Sequence, residues 1–219
     1  MKKEIMKKGI VFFGPPGSGK GTQSILLSDR LNIPLVAMGQ LLRTEVVQNT
    51  SLGKKIEDSL KRGEYLSTSD VMEVLKIQLD KFPDAWVILD GVPRSIEQAE
   101  AVEQYAFSGF LCIEAVVFLQ ISPEKVWDRI RNRLSCVHCQ KDYCHKVDLC
   151  SNCGSKEFSK RSDDKEEVVL RRLNVFNEKI RSIFDFYNEQ KKVYLIQADR
   201  DVEEVYSDII ACILPLMKK

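Results

Sequence analysis

The sequence predicts an α/β fold in which a parallel β-sheet is covered by helices on both faces. Two observations carry this expectation. Short apolar runs rich in branched residues recur at Ile10 to Phe13, Pro34 to Ala37, Trp86 to Leu89, Ala115 to Leu119 and Val193 to Ile196, as in strands buried on both faces. Longer segments with helical spacing separate them, and alternation of that kind builds layered α/β domains. Of 219 residues, 44% are hydrophobic, enough for one compact core with small inserted pieces.

The elements follow in chain order. The basic start "MKKEIMKKGIVFF" resembles the opening of a signal peptide, but its apolar run is only Ile10 to Phe13 before a Gly/Pro loop, so it reads as a first buried strand. "KGTQSILLSDRL" is the first helix. Residues 38–67 hold two short helical patterns with no strand between them and read as an insertion. "STSDVMEVLKIQL" and "SPEKVWDRIRNRL" open with Ser or Thr caps and acidic first turns. Residues 134–162, polar, cysteine-rich and weakly periodic, read as a second insertion. A long helix is expected from Asp163 to Lys191, with Val169, Leu173, Phe176, Ile180, Ile183, Phe184 and Tyr187 near a 3.6-residue period. No run approaches the roughly 20 apolar residues of a membrane span, and a cytoplasmic location is expected. The net charge of +1 argues against a general nucleic-acid surface.

Chemistry concentrates at a few places. "GPPGSGKGTQ" follows a strand and opens a helix, the setting in which glycines let backbone N–H groups converge on phosphate and Lys20 adds a point charge. Gly21 stands where the usual phosphate-loop pattern has a magnesium-binding hydroxyl, which comes one residue later at Thr22. A core strand ends in Asp90, where a carboxylate is needed near the metal and its waters. Arg94 is expected to begin a helix that puts it on one face with Gln98, the guanidinium fork for a second phosphate and the amide for a base edge. Further arginines gather around the second insertion at Arg129, Arg131, Arg133, Arg161, Arg171 and Arg172. Phosphoryl transfer needs positioning and cationic stabilisation, and an arginine-rich flap supplies both.

Of seven cysteines, Cys136, Cys139, Cys150 and Cys153 form paired knuckles, C-x2-C-x10-C-x2-C, which point to a structural four-thiolate zinc site in a reducing compartment. Iron is the other metal such a set accepts. Cys144, His138 and His145 are bystanders, and Cys112 and Cys212 are expected to be buried hydrophobes.

"GPPGSGKGTQ", "LLR" at 41–43, "LDGVPR" at 89–94, the four cysteines and "RSDD" at 161–164 together resemble adenylate kinases of the zinc-containing-lid type. The resemblance runs from about Gly9 to the C-terminus. It implies a three-layer P-loop fold with five parallel strands (1–36, 67–131 and 170–219), a helical insertion binding the nucleoside monophosphate (37–66) and a zinc lid (132–169). The implied reaction is reversible phosphoryl transfer from MgATP to AMP giving two ADP, in nucleotide homeostasis, by a monomer that engages neither membrane nor nucleic acid. Carried over by position, Gly17, Ser18, Gly19, Lys20, Gly21 and Thr22 hold the ATP phosphates, with Arg133, and Tyr143 and Arg200 lie near the ATP base. Met38, Arg43, Glu64, Tyr65, Leu66, Gly91, Arg94 and Gln98 hold AMP. Lys20, Arg94, Arg129, Arg161 and Arg172 serve the transfer, the last two also touching AMP, and Asp90 orients magnesium through water. Ala37-Met38-Gly39-Gln40 stands where the family usually has Ser-Thr-Gly-Asp, removing a hydroxyl and a carboxylate. Pyrimidine nucleotide kinases of the same fold also vary there, so a UMP/CMP kinase is the nearest alternative. A P-loop ATPase with a nucleic-acid-binding zinc ribbon is the alternative from another class, and it would need aromatics interleaved with a basic stripe.

Overall fold

The computed structural model describes residues 6–82, 86–107, 110–143 and 146–218. Five strands, β1 (Lys7–Phe13), β2 (Leu35–Ala37), β3 (Trp86–Asp90), β4 (Leu111–Gln120) and β8 (Val193–Gln197), form one parallel sheet in the order β2-β3-β1-β4-β8. The five apolar runs correspond to these strands. Alternate side chains feed two cores. Val11, Leu89 and Val116 pack on one face with α4 (Thr68–Leu79), α5 (Ile96–Phe107) and α7 (Glu166–Glu189). Ile10, Phe12, Ile88 and Val117 pack on the other with α1 (Lys20–Leu31) and α8 (Val202–Met217).

The register places the chemistry. Phe12 of β1 pairs with Asp90, and Ala37 of β2 pairs with the same residue, so the three strands end side by side at one edge of the sheet. That edge is the carboxyl end, where ligands bind in such sheets. Between β2 and β3 the chain detours through α2 (Met38–Val47) and α3 (Ser51–Arg62). Thr50 caps α3 by accepting from Gly53 N at 3.0 Å, and Ser67 caps α4 by accepting from Asp70 N at 3.2 Å.

Four expectations need correction. Ser122 precedes α6 (Pro123–Arg131), yet its hydroxyl donates to Asp199 Oδ1 at 2.9 Å and makes no cap bond. Arg94 lies before α5 and not on it; its backbone N–H donates to Gln98 Oε1 at 2.8 Å, closing the approach to the helix. The long helix starts at Glu166, because Asp163 and Asp164 form a 3-10 turn whose carboxylates are taken by arginines. Cys112 and Cys212 are half-buried: one opens β4 and the other packs at the margin of the α8 core.

Residues 134–162 contain a small antiparallel sheet, order β6-β5-β7, made of β5 (Leu134–Cys136), β6 (Asp142–Tyr143) and β7 (Phe158–Ser159). No helix among the described residues is long and apolar enough to cross a membrane.

Candidate active site

Gly17 and Gly19 of the loop after β1 take φ of 80° and 93°, a region side chains other than glycine rarely enter, so the chain can turn tightly into the start of α1. Lys20 folds back to donate to the carbonyls of Gly14 at 2.6 Å and Pro15 at 2.8 Å. Burial pushes its ammonium down to about 7 against the pull of Asp90, with Arg94, Arg172 and Arg133 adding to the lowering. Burial raises the Asp90 carboxyl, while Lys20 and Arg94 pull it down. A Cβ on residue 21 would stand 3.5 Å from Asp90 Oδ2. Gly21 therefore leaves open the space beside the carboxylate that a hydroxyl side chain would enter.

Across the cleft, Arg43 of α2 and Arg94 converge on Gly39, where an added Cβ would lie 3.4 Å from Arg43 Nη1 and 3.5 Å from Arg94 Nη2. Arg94 stacks over the Tyr65 ring at 5.6 Å. Burial lowers Arg43 to about 10, with Arg161 adding to the effect and Asp142 opposing it. Its Nε is buried without a hydrogen-bond partner among the described residues. A buried donor left unpaired beside a second guanidinium is a site built for an anion.

The lid completes the ring of charge. Arg161 donates through Nε to Asp163 Oδ1 at 2.7 Å and through Nη1 to Asp142 Oδ2 at 2.9 Å. Burial works against its charge, yet Asp142 and Asp163 hold it above the usual guanidinium range. Arg172 donates to Asp163 at 2.8 Å; burial lowers it to about 9, with Asp163 opposing and three neighbouring arginines adding. Arg133 is forked onto Asp164, its Nε at 2.9 Å from Oδ2. Arg129 ties the loop to the strand beyond, donating to Ser18 O at 3.0 Å and Ala198 O at 2.7 Å. The resulting cleft is lined by eight cationic side chains and two carboxylates, Asp90 and Asp142.

The structure gathers Gly17, Gly19, Lys20, Gly21, Thr22, Arg43, Tyr65, Asp90, Gly91, Arg94, Arg129, Arg133, Arg161 and Arg172 around this cleft. Other expected residues lie elsewhere. Ser18, Met38 and Gln98 are buried beneath its wall. Gln98 Nε2 donates to Leu66 O at 3.4 Å. Glu64 is paired with Arg62 at the surface. Arg200, paired with Asp208, lines a shallow neighbouring cleft with Lys125, Asp128 and Asp201. The Tyr143 hydroxyl turns toward the cysteines, donating to Cys150 Sγ at 3.3 Å and accepting from Ser151 N at 2.9 Å. Asp142, Phe176 and Lys179 carry no functional signal in the sequence; the "RSDD" run is the signal for Asp163, and Gln40 shows there only as a missing carboxylate.

The four cysteine sulfurs lie within 4.8 Å of one another, with the Cys136–Cys153 and Cys139–Cys150 pairs at 3.5 Å. A tetrahedral zinc–thiolate site has sulfur–sulfur edges of about 3.8 Å, so this donor set fits. His138 is exposed and faces Glu157 at 3.6 Å, outside the cluster. Cys144 and His145 lie outside the described residues.

The profile of the adenylate kinase family matches residues 12–192. The chain belongs to the adenylate kinase family. It is 35% identical over 208 residues to an adenylate kinase of Thermosipho africanus (strain TCF52B), covering 92% of this chain and 97% of that relative. Adenylate kinases of Methanosarcina barkeri and Archaeoglobus fulgidus are each 34% identical over 92% of this chain and 96% of theirs. The four-cysteine cluster is consistent with the zinc-containing-lid type.

Two outcomes follow from this geometry. The purified chain is expected to carry one zinc per molecule by elemental analysis. Stripping it should lower the melting of the lid sheet, because strands of two and three residues have little core of their own; a melting curve unmoved by chelation would argue against a structural metal. Separately, Lys20 at about 7 is mostly neutral at pH 8. A bound triphosphate favours the charged form and raises that value, so binding takes up close to one proton between about pH 7 and the ordinary lysine range. Calorimetry of ATP binding at pH 8 in buffers of different ionisation enthalpy should show the uptake, and Lys20→Met should abolish it. No buffer dependence in the unmodified chain would refute the shift.

Proposed function

We propose that the chain catalyses reversible transfer of the terminal phosphoryl group of MgATP to AMP, giving two ADP, and so serves nucleotide homeostasis as a cytoplasmic monomer. The observation that carries this reading is the pair of anion cradles facing one another across a single cleft: the loop around Lys20 on one side, Arg43 and Arg94 on the other. Two phosphate chains held end to end by such cradles are held for in-line transfer.

An oxygen of the AMP phosphate attacks the γ-phosphorus, the bond from that phosphorus to the β–γ bridging oxygen breaks, and its electron pair leaves with ADP. The loop N–H groups and Lys20 hold the donor phosphates, and Lys20, already beside Arg94 and Arg172, follows the negative charge as it moves. Arg129, Arg133, Arg161 and Arg172 line the cleft and are anchored by Ala198 O, Asp164, Asp142 and Asp163, so their charge is gathered before the transferring group arrives. Asp90 would orient the waters of a magnesium ion, which when bound with ATP would neutralise phosphate charge. The lid over the cleft keeps water from competing as the acceptor.

Gln98 Nε2 and Leu66 O, bonded to one another at 3.4 Å beneath the cleft wall, each keep one further valence, a second N–H and a second lone pair, which the N1 and N6 positions of adenine would complement. The lid aromatics Tyr143 and Phe158 pack edge to face at 5.5 Å, an arrangement that supports a small-molecule partner over single-stranded nucleic acid. A coupled assay offering AMP, CMP, UMP and GMP to the chain with MgATP tests the acceptor. AMP is expected to give kcat/KM at least tenfold above the others. Equal or greater turnover of a pyrimidine monophosphate would overturn the acceptor assignment.

A further inference from the structure

Where the family usually has a carboxylate, this chain has Gln40, and its side chain is engaged with the lid. Gln40 Nε2 donates to the carbonyl of Cys139 at 2.8 Å. One turn along α2, Arg43 Nη2 donates to the next carbonyl of the same knuckle, Gln140 O, at 3.3 Å, and lies 3.6 Å from Asp142. Residues three apart share a helix face, so α2 presents two donors to two consecutive carbonyls of the knuckle turn.

Those carbonyls are held in place by the turn itself. Gln140 adopts φ of 60°, and its own amide donates to Val137 O at 2.9 Å and Cys136 O at 3.2 Å. The Gln140 N–H donates to Cys136 O at 3.0 Å, and the Cys136 N–H donates to Lys141 O at 3.0 Å. Cys139 belongs to the four-thiolate set, so the acceptor that Gln40 reaches is the backbone of a metal-site residue.

The residue type decides what this contact can be. A carboxylate at position 40 has no hydrogen to give and would oppose the Cys139 carbonyl acceptor to acceptor. An amide donates there and leaves Arg43 free to share its charge between the knuckle and the cleft. We infer that Gln40 is a positioning residue: its amide latches the metal knuckle of the lid onto the acceptor-side helix, so that lid closure and the seating of Arg43 at the acceptor phosphate occur together. This deepens the proposed phosphoryl transfer and rests on that reading for the identity of the acceptor. The latch itself is a contact between two parts of the chain.

The test is a distance measurement on the full, zinc-loaded chain. Fluorophores introduced through unnatural amino acids at Lys54 in α3 and Lys156 in the lid, both exposed, report closure without touching the cysteines. Closure is followed as AMP and MgATP are added together, in the unmodified chain, in Gln40→Met, which lacks the donor, and in Gln40→Glu, which replaces it with an acceptor of the same length. The midpoint of closure is expected to move to about fivefold higher nucleotide in Gln40→Met, the weight of one neutral hydrogen bond, and further in Gln40→Glu. KM for AMP should rise in the same order, with kcat changing less than KM. Midpoints unchanged in both variants overturn the latch, as does the absence of any closing transition. So does a Gln40→Glu variant that closes normally while needing less magnesium, since position 40 would then act through the metal's waters. A failure of the acceptor assignment would appear in the coupled assay; the closure series is then run with the nucleotide that assay identifies, and the same order of midpoints is expected.

Discussion

Charge crowding around the cleft is the constraint on which the rest of the structure depends. Two guanidinium groups roughly 7 Å apart repel by about 2 kcal/mol at an effective dielectric of 20, and this cleft is lined by eight cationic side chains, with Arg43 and Arg94 meeting at Gly39. Asp163 and Asp164 neutralise the lid side, and Asp142 sits where lid and α2 meet. The residue of positive charge is visible in the lowered values of Lys20, Arg43 and Arg172, each made more reluctant by burial and by cationic neighbours. An anion is the partner that this gathered positive charge favours.

The architecture distributes that charge over elements that no single helix could supply. The sheet fixes the phosphate loop and Asp90 next to one another through the β1–β3 register. The α2–α3 detour brings Arg43, the loop after β3 brings Arg94, and α7 carries Arg172 from the lid end back to the core. The sheet of residues 134–162 has only short strands, and on binding a metal its four cysteines would stand in for the hydrophobic core that so small a sheet cannot build.

Much of this was legible in the sequence, for physical reasons that differ by element. The five buried strands announced themselves as apolar runs, since both faces of a parallel sheet are covered. The loop glycines, Lys20, Asp90 and the paired cysteines were legible because their chemistry demands those residue types at fixed spacing. The small sheet of residues 134–162 was not: strands of two or three residues beside a four-cysteine cluster leave no periodicity to read. Asp142 and Asp164 were hidden as partners because their ion pairs join residues distant in the chain, 31 positions apart for Arg133 and Asp164 and 99 for Arg43 and Asp142. Arg94 was placed on a helix because its spacing to Gln98 matched one; the backbone–side-chain bond between them explains the spacing without a helix. Gln40 read only as a missing carboxylate, since its donor finds its acceptor 99 residues away.

The central claim, that the cleft exists to hold phosphate charge, is tested most directly by comparing AMP with adenosine in equilibrium binding to the zinc-loaded chain. A site organised by Arg43 and Arg94 should bind AMP at least a hundredfold more tightly, the loss of two charge-assisted hydrogen bonds. Adenosine binding within about threefold of AMP would contradict the account, because the base and ribose would then hold the ligand and the gathered cations would be left unexplained.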